Sequence, residues 1–193
     1  MSFEDLGARA EEFSHIINHS DDDICLVGWS MGGMVAMQLA VKYPEKIKAL
    51  VLVSTTPKFI SCPDLPQGLS LAILRKLQKR IKREGISAFH SLIFDLSHEI
   101  PGLADLSSDQ IANELRELEQ LDLRHSLAAI KVPTLIIHGA NDEICPPEAA
   151  QYLHEKISGS ELIIMPGVGH VPQIDATEIF NSIIKDFMAK HDR

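Results

Sequence analysis

Cysteine is scarce in this 193-residue chain, and its placement excludes two kinds of scaffold. The three cysteines, Cys25, Cys62 and Cys145, are odd in number, widely spaced and without a Cys-x-x-Cys pair. We therefore expect free thiols rather than a disulfide framework or a thiolate zinc site. Histidines and carboxylates also lack metal-ligand spacing and no glycine-rich phosphate loop is present, so no metal and no cofactor is predicted.

Long apolar runs are lacking as well. None approaches the roughly 18 residues that a membrane-spanning helix needs. Residues 1–5 do not show the basic and apolar regions of a signal peptide. The sequence therefore predicts no membrane association and a cytoplasmic protein. With 45% hydrophobic residues, the chain is expected to bury one core and to form a single domain over residues 1–193.

Basic residues are outnumbered overall but concentrated in one segment. The formal net charge of -9 excludes a general nucleic-acid-binding role, which needs a basic face. Between Leu69 and Gly85, however, six basic residues occur with the single acid Glu84. A solvated helix face is the plainer interpretation, and a docking surface for an acidic partner is the alternative. The six are Arg75, Lys76, Lys79, Arg80, Lys82 and Arg83.

Apolar runs and helical stretches alternate regularly along the chain. The apolar runs predict strands at residues 24–28, 47–54, 134–138 and 161–165, and helical periodicity predicts helices at residues 3–18, 34–41 and 147–157. Asp175-Ala-Thr-Glu178 is typical of a capping box that opens a last helix. This order predicts an α/β fold, with a parallel sheet covered by helices on both faces.

One stretch interrupts the alternation. Residues from about 57 to 128 contain four prolines and no convincing strand, which predicts a helical insertion. An apolar stripe within it is formed by Ile111, Leu115, Leu118 and Leu121.

Ser30 is the candidate nucleophile. It lies in Gly28-Trp29-Ser30-Met31-Gly32, directly after a predicted strand and before a predicted helix. A serine in a sharp strand-to-helix turn exposes its hydroxyl at the carboxyl end of a sheet. We expect that only residues as small as Gly28 and Gly32 let the backbone bend so tightly.

A serine hydroxyl needs a base to take its proton and a third group to orient that base. Asp142 follows the predicted strand at residues 134–138, and His170 follows the strand at residues 161–165. Ligands bind beyond the carboxyl ends of such strands. The order Ser30, Asp142, His170 is the order found in α/β-hydrolases.

Two other residues compete for these roles. Glu143 is an alternative orienting acid, although its side chain should point elsewhere from the same turn. His138 is a poor substitute for His170, because it lies inside a strand pattern ahead of the acid.

The whole chain resembles the α/β-hydrolase superfamily and, more narrowly, the pimeloyl-acyl carrier protein methyl ester esterases of biotin synthesis. The segments that carry this resemblance are GWSMGG at residues 28–33, YPEKIKALV at 43–51 and LDLR at 121–124.

The resemblance implies roles for individual residues. Ser30 is the nucleophile, His170 the general base and Asp142 its partner, while the amide of Met31 supplies one oxyanion donor. The insertion is the lid, and its basic residues meet an acidic carrier protein. The residues predicted to contact the substrate are Trp29, Phe94 and Val171.

The chain departs from the family ahead of Ser30. Family members have several strands there and a His-Gly-type loop that provides the second oxyanion amide, whereas the 29 residues here hold one helix and no such motif. Loss of one oxyanion donor typically costs about 10²–10³ in rate. Because these 29 residues hold no strand pattern of that kind, the N-terminal strands of the fold are expected to be missing. The strand at residues 24–28 then becomes an exposed edge.

Three explanations for this departure stay open. They are a truncated start, a homodimer that covers the edge and a catalytically weakened relative. The first is favoured, because a strand of buried character is unstable beside water.

The ordered triad predicts a serine carboxylesterase that cleaves a carboxylic ester through an acyl-enzyme. By resemblance, its substrate is a methyl ester on an acyl carrier. A thioesterase or a carbon-carbon bond hydrolase is an alternative, because the same triad serves those reactions. The other alternative is a noncatalytic remnant that binds an acyl chain or a carrier protein.

Overall fold

The computed structural model describes residues 8–85 and 107–191. The chain divides into two compact units: residues 1–57 together with 122–193, and residues 58–121. The predicted substrate contact Phe94 lies outside the described residues.

The first unit contains four strands and five α-helices in its described part. The strands are β1 (Ile24–Trp29), β2 (Ile47–Val53), β3 (Thr134–Gly139) and β4 (Glu161–Met165). In the second unit, the described helices are α3 (Leu71–Glu84) and α4 (Ser108–Gln120). Those of the first are α1 (Ala8–His19), α2 (Met31–Lys42), α5 (Pro147–Lys156), α6 (Pro172–Asp175) and α7 (Thr177–His191), with a short 3-10 helix at Leu127–Ala129.

The four strands form one parallel sheet in the order β1-β2-β3-β4. The predicted α/β fold with a parallel sheet is thus confirmed, and each predicted strand is found within one residue of its expected ends. Residues aligned across the sheet include Val27 with Val51, Val51 with Leu135, and Ile137 with Ile163. Because all strands run the same way, the loops after them lie at one edge of the sheet.

The core lies on both faces of the central strands. Alternate residues of β2 and β3, such as Val51 and Ile137, pack in one cluster with Phe180 and Phe187 of α7. The intervening residues, such as Leu52, point to the opposite face, where α2 and α5 contact the strands. Both strands are almost fully buried, which explains why they read as continuous apolar runs.

Strand β1 has no neighbour on its outer side among the described residues. Its side chains alternate between partly buried and exposed, and Val27 is 57% exposed. The expectation of an exposed edge at this strand is therefore confirmed.

The start of the last helix differs from the prediction. Asp175 ends α6 instead of capping α7, which begins at Thr177. The Thr177 hydroxyl donates to the carbonyl oxygens of Gln173 and Ile174. It therefore ties α7 to the preceding turn, and the capping-box prediction is wrong.

The second unit is built on the pairing of α3 with α4. The Ser70 hydroxyl accepts from the Ile73 amide and caps α3. Leu74, Leu77 and Ile81 are its buried residues. On α4, Ile111, Leu115 and Leu118 of the predicted stripe are buried as well.

In the described ranges, no helix combines the length and the apolar character needed to cross a membrane.

The two glycines that flank Ser30 are not equivalent. A Cβ added to Gly28 would lie 2.6 Å from the Gly32 carbonyl oxygen and from the Gly33 Cα, so β1 and α2 approach too closely for any side chain. A Cβ on Gly32 meets no described atom within 4 Å beyond its own helix backbone and chain neighbours. The steric expectation holds at Gly28 and is wrong at Gly32.

We predict that Gly28→Ala lowers the free energy of unfolding by about 1–3 kcal/mol, because rigid backbone must move to admit the methyl group. Gly32→Ala is the matched control from the same turn, with an expected change within about 0.5 kcal/mol. Urea unfolding of both variants measures the difference. Equal stabilities would contradict the close approach of β1 and α2.

Candidate functional site

Ser30 lies between β1 and α2 in a strained conformation. Its φ is 53° and its ψ is -122°, outside the region that residues other than glycine normally adopt. Serine at such a position normally caps the helix with its hydroxyl, but this side chain forms no capping hydrogen bond. The hydroxyl is therefore available for another partner.

That partner is His170. The Ser30 Oγ lies 3.1 Å from His170 Nε2, and His170 Nδ1 lies 2.8 Å from Asp142 Oδ2. Asp142 leaves the carboxyl end of β3, and His170 lies on the loop after β4. The structure thus brings all three predicted residues into one hydrogen-bonded chain at the carboxyl edge of the sheet.

The Asp142 carboxylate is buried and fully engaged. Its Oδ1 accepts from the amides of Ile144, at 2.9 Å, and Cys145, at 3.0 Å. Burial by itself raises the pKa of this carboxyl, but hydrogen bonds from His138, His170 and the Cys145 amide outweigh it and hold the pKa of Asp142 well below its usual range. The carboxylate is therefore ionised at neutral pH and can orient the imidazole of His170.

The amide and the carbonyl of Ser30 are both hydrogen-bonded, one to the last residue of β2 and the other to the loop that follows it. Its amide donates to the Val53 carbonyl oxygen at 2.9 Å, and its carbonyl oxygen accepts from the Thr55 hydroxyl at 2.6 Å. These bonds hold the strained turn in place. Sequence reasoning missed Thr55, although the polar residues 54–56 directly after an apolar strand are a signal for it.

Met31 is the first residue of α2. The first amides of a helix have no partner within the helix and carry its positive end. An amide directly after Ser30 is suited to an oxyanion, and this role of Met31 stays a prediction.

Two of the predicted substrate contacts are found beside His170. The Trp29 indole donates to the His170 carbonyl oxygen at 2.8 Å, and its ring centroid lies 5.4 Å from that of His170. Val171 is buried at the start of α6. The structure therefore gives Trp29 a part in holding the His170 loop, and contact of either residue with substrate stays a prediction.

Neither of the two competing residues takes the place of His170 or Asp142. Glu143 is exposed on the turn after Asp142, and its carboxylate forms no hydrogen bond to His170 within the described residues. His138 is fully buried and contacts Asp142 rather than Ser30. Its position four residues before the acid was available from the sequence, but its contact with Asp142 was not predicted.

No group of three or more His, Cys, Asp or Glu side chains is arranged to hold a metal ion in the described part of the chain. The hydrogen-bonded chain of Ser30, His170 and Asp142 is an arrangement suited to proton transfer and nucleophilic attack.

Comparison with known proteins identifies the fold and the family. The solved esterase from Exiguobacterium antarcticum superposes with a TM-score of 0.84 at 27% identity, covering 93% of this chain and 72% of that one. The bromoperoxidase from Bacillus anthracis gives a TM-score of 0.83 at 20% identity, covering the same shares. The second likeness shows the fold alone.

Sequence comparison agrees. A pimeloyl-[acyl-carrier protein] methyl ester esterase from Neisseria meningitidis serogroup B is 32% identical over 95% of this chain and 75% of its own length. The family described as serine aminopeptidase, S33, matches residues 2–176. The chain has an α/β-hydrolase fold and belongs to this serine aminopeptidase, S33, family of hydrolases.

Proposed function

We propose that this chain is a serine carboxylesterase that hydrolyses a methyl ester of an acyl group bound to a carrier protein. The observation that carries the proposal is the chain of hydrogen bonds from Ser30 through His170 to Asp142. The relatives named as pimeloyl-[acyl-carrier protein] methyl ester esterases support an ester as the substrate and, by the resemblance, biotin synthesis as its setting. A cytoplasmic location stays a prediction.

The reaction follows from the geometry in two halves. His170 Nε2 takes the proton of Ser30 Oγ as that oxygen bonds to the ester carbonyl carbon, and the Met31 amide faces the negative oxygen that forms. The bond to the methoxy group then breaks, and methanol leaves with the proton from His170. Water next gives a proton to His170 as its oxygen attacks the acyl carbon. The bond from that carbon to Ser30 Oγ then breaks, His170 returns the proton to Ser30 Oγ, and the acid leaves.

The triad does not determine the leaving group, so a thioesterase or carbon-carbon bond hydrolase needs the same three residues. The strained conformation of Ser30 supports catalysis over a noncatalytic remnant, because backbone strain of this kind clusters at active sites.

Replacement of Ser30 tests the proposal. Ser30→Ala is expected to lower kcat for p-nitrophenyl ester hydrolysis by at least about 10⁴-fold, because the attacking oxygen is removed. The control is Ser160→Ala, which removes a serine that hydrogen-bonds His154 at the surface and should keep the parent rate. Labelling by a fluorophosphonate probe should disappear only in the first variant. A folded parent protein that neither labels nor hydrolyses would refute the proposal.

The basic segment is proposed to bind the acidic carrier protein. Helix α3 presents its cations in two rows. Arg75, Lys79 and Lys82 line a groove of about 410 Å³ together with Gln78 and with Arg116 of α4. The second row consists of Lys76, Arg80 and Arg83.

The two rows differ in how far their charge is already neutralised. Arg80 and Arg83 are both bonded to Glu84, and Arg75 pairs with Glu119 at 3.2 Å. Lys79 and Lys82 form no ion pair within the described ranges. The row that lines the groove, Arg75, Lys79 and Lys82, is called the groove row. We infer that its two lysines contribute most of the attraction for an acidic surface.

Charge reversal in the two rows distinguishes a docking surface from a merely solvated helix. Lys79→Glu with Lys82→Glu is expected to weaken binding of an acyl carrier protein about tenfold at low salt and to reduce the salt dependence of binding. The matched control is Arg80→Glu with Arg83→Glu, which makes the same charge change in the second row. Isothermal titration calorimetry measures both. Equal effects, or none, would contradict the assignment to the groove row.

The edge of the sheet is proposed as a homodimer contact. A groove of about 440 Å³ is lined by apolar residues of α1, β1 and α2. Phe13, Ile16 and Val27, which lie on α1 and β1, are each about half exposed. A second copy related by a twofold axis would place its own β1 antiparallel to this one and extend the sheet.

Val27→Asp is expected to abolish dimerisation, because two carboxylates would then face each other at the contact. Ile179→Asp is the control, since Ile179 is similarly exposed, at 62%, but lies on α7. Sedimentation velocity at rising protein concentration measures the mass. A parent protein that stays monomeric, or a dimer that survives Val27→Asp, would refute this contact.

A further inference from the structure

A second imidazole reaches the Asp142 carboxylate. His138 lies on β3, four residues before Asp142, and its side chain is fully buried. Its Nε2 lies 2.6 Å from the Cys145 carbonyl oxygen and 3.2 Å from Asp142 Oδ2. The mechanism proposed above does not use this residue.

The surroundings of the ring determine its tautomer. Both neighbours of Nε2 are acceptors, a carbonyl oxygen and an ionised carboxylate, so Nε2 carries the hydrogen. The other nitrogen, Nδ1, is buried and has no hydrogen-bond partner among the described residues. A second proton there would be a buried donor without an acceptor, which is costly. The geometry therefore places a ring hydrogen on Nε2.

Asp142 Oδ2 is consequently shared between two donors. His170 Nδ1 approaches it at 2.8 Å and His138 Nε2 at 3.2 Å, while Oδ1 is occupied by the amides of Ile144 and Cys145. Without the His138 contact, the two amides still hold Oδ1, but Oδ2 loses one of the two groups that fix its direction.

We propose that His138 is a positioning residue of this site: its Nε2–H joins the Cys145 carbonyl to Asp142 Oδ2 and holds that oxygen toward His170. The inference rests on the proposed function, since it concerns the orientation of the same base. It predicts two separable effects, one on turnover and one on pH dependence.

The effect on turnover follows from position. His138 is fully buried, and its ring contacts Asp142 and the Cys145 carbonyl oxygen. It forms no hydrogen bond with Ser30 in the described structure. Loss of its hydrogen bond should lower kcat with KM nearly unchanged, because the base is misoriented while the binding surface is kept.

The effect on pH dependence follows from charge. The titratable group in contact with His138 Nε2 is Asp142, and His170 from the loop after β4 lies on the same carboxylate oxygen. The thiol of Cys145 lies close enough to Asp142 to feel its charge. Burial and the charge of Asp142 raise the pKa of the Cys145 thiol, which stays neutral. Without the His138 donor, Oδ2 is no longer held toward His170, so its negative charge favours the protonated form of that imidazole less. The acid limb of the kcat/KM profile should therefore move to lower pH.

Two amide substitutions separate positioning from packing. His138→Gln places an amide donor near the position of Nε2, whereas the shorter His138→Asn places one near Nδ1 and leaves the Nε2 position empty. Both keep a polar group of similar kind in the buried site. His154→Asn, at an exposed histidine, is the control for histidine loss itself.

The measurements are thermal unfolding, steady-state hydrolysis of a p-nitrophenyl ester across pH, and NMR titration of the His170 ring. We expect His138→Asn to lower kcat about tenfold with KM within about twofold. Its acid limb and the His170 titration midpoint should both move to lower pH than in the parent protein. His138→Gln should restore most of kcat and the parent midpoint.

Equal kcat and equal midpoints in the Gln and Asn variants would overturn the inference, whatever their stability. The NMR titration needs no turnover, so it tests the positioning role even in a protein without esterase activity. Absence of hydrolysis by the parent protein would refute the proposed function but not the positioning role of His138.

Discussion

The conformation of one residue, Ser30, is the constraint on which the site depends. Its positive φ turns the chain from β1 into α2 within a single residue, and this turn is sterically open only because Gly28 has no side chain. The strain costs about 1–3 kcal/mol. Two hydrogen bonds maintain it: the Ser30 amide donates to the Val53 carbonyl oxygen, and the Thr55 hydroxyl donates to the Ser30 carbonyl oxygen. As a result, the Ser30 hydroxyl does not cap α2 and lies within hydrogen-bond distance of His170.

The buried Asp142 carboxylate connects the loop after β3 with the loop after β4, which carries His170. One of its oxygens accepts hydrogen bonds from two backbone amides, and the other is approached by two imidazoles. The carboxylate can therefore neither rotate nor take up a proton easily. His170 is held between it and Ser30, and Trp29 donates to the His170 backbone. Trp29 of β1 and the loops after β1, β3 and β4 thus depend on one another, and loss of one hydrogen bond would weaken the others.

Much of this could be predicted from the sequence. The buried strands β2 and β3 read as apolar runs because both of their faces are covered, and Ser30, Asp142 and His170 follow strands in a diagnostic order. The predictions that failed concern local contacts. Asp175 was expected to cap α7 but ends α6, and Gly32 was expected to be sterically required but faces open space. Such details depend on how neighbouring turns pack, which no local pattern reports.

The sequence by itself determined the class of fold, the order of its elements and the identities of the nucleophile, base and acid candidates, because periodicity and turn residues are local properties. Only the tertiary structure decided which groups share a partner. Residues 30, 142 and 170 are far apart in the chain, and the contact of His138 with Asp142 needs the β3 loop to fold back on its own strand. Hydrogen-bond partners and tautomers depend on distances of a few ångströms between such segments, and those distances exist only once the sheet has formed.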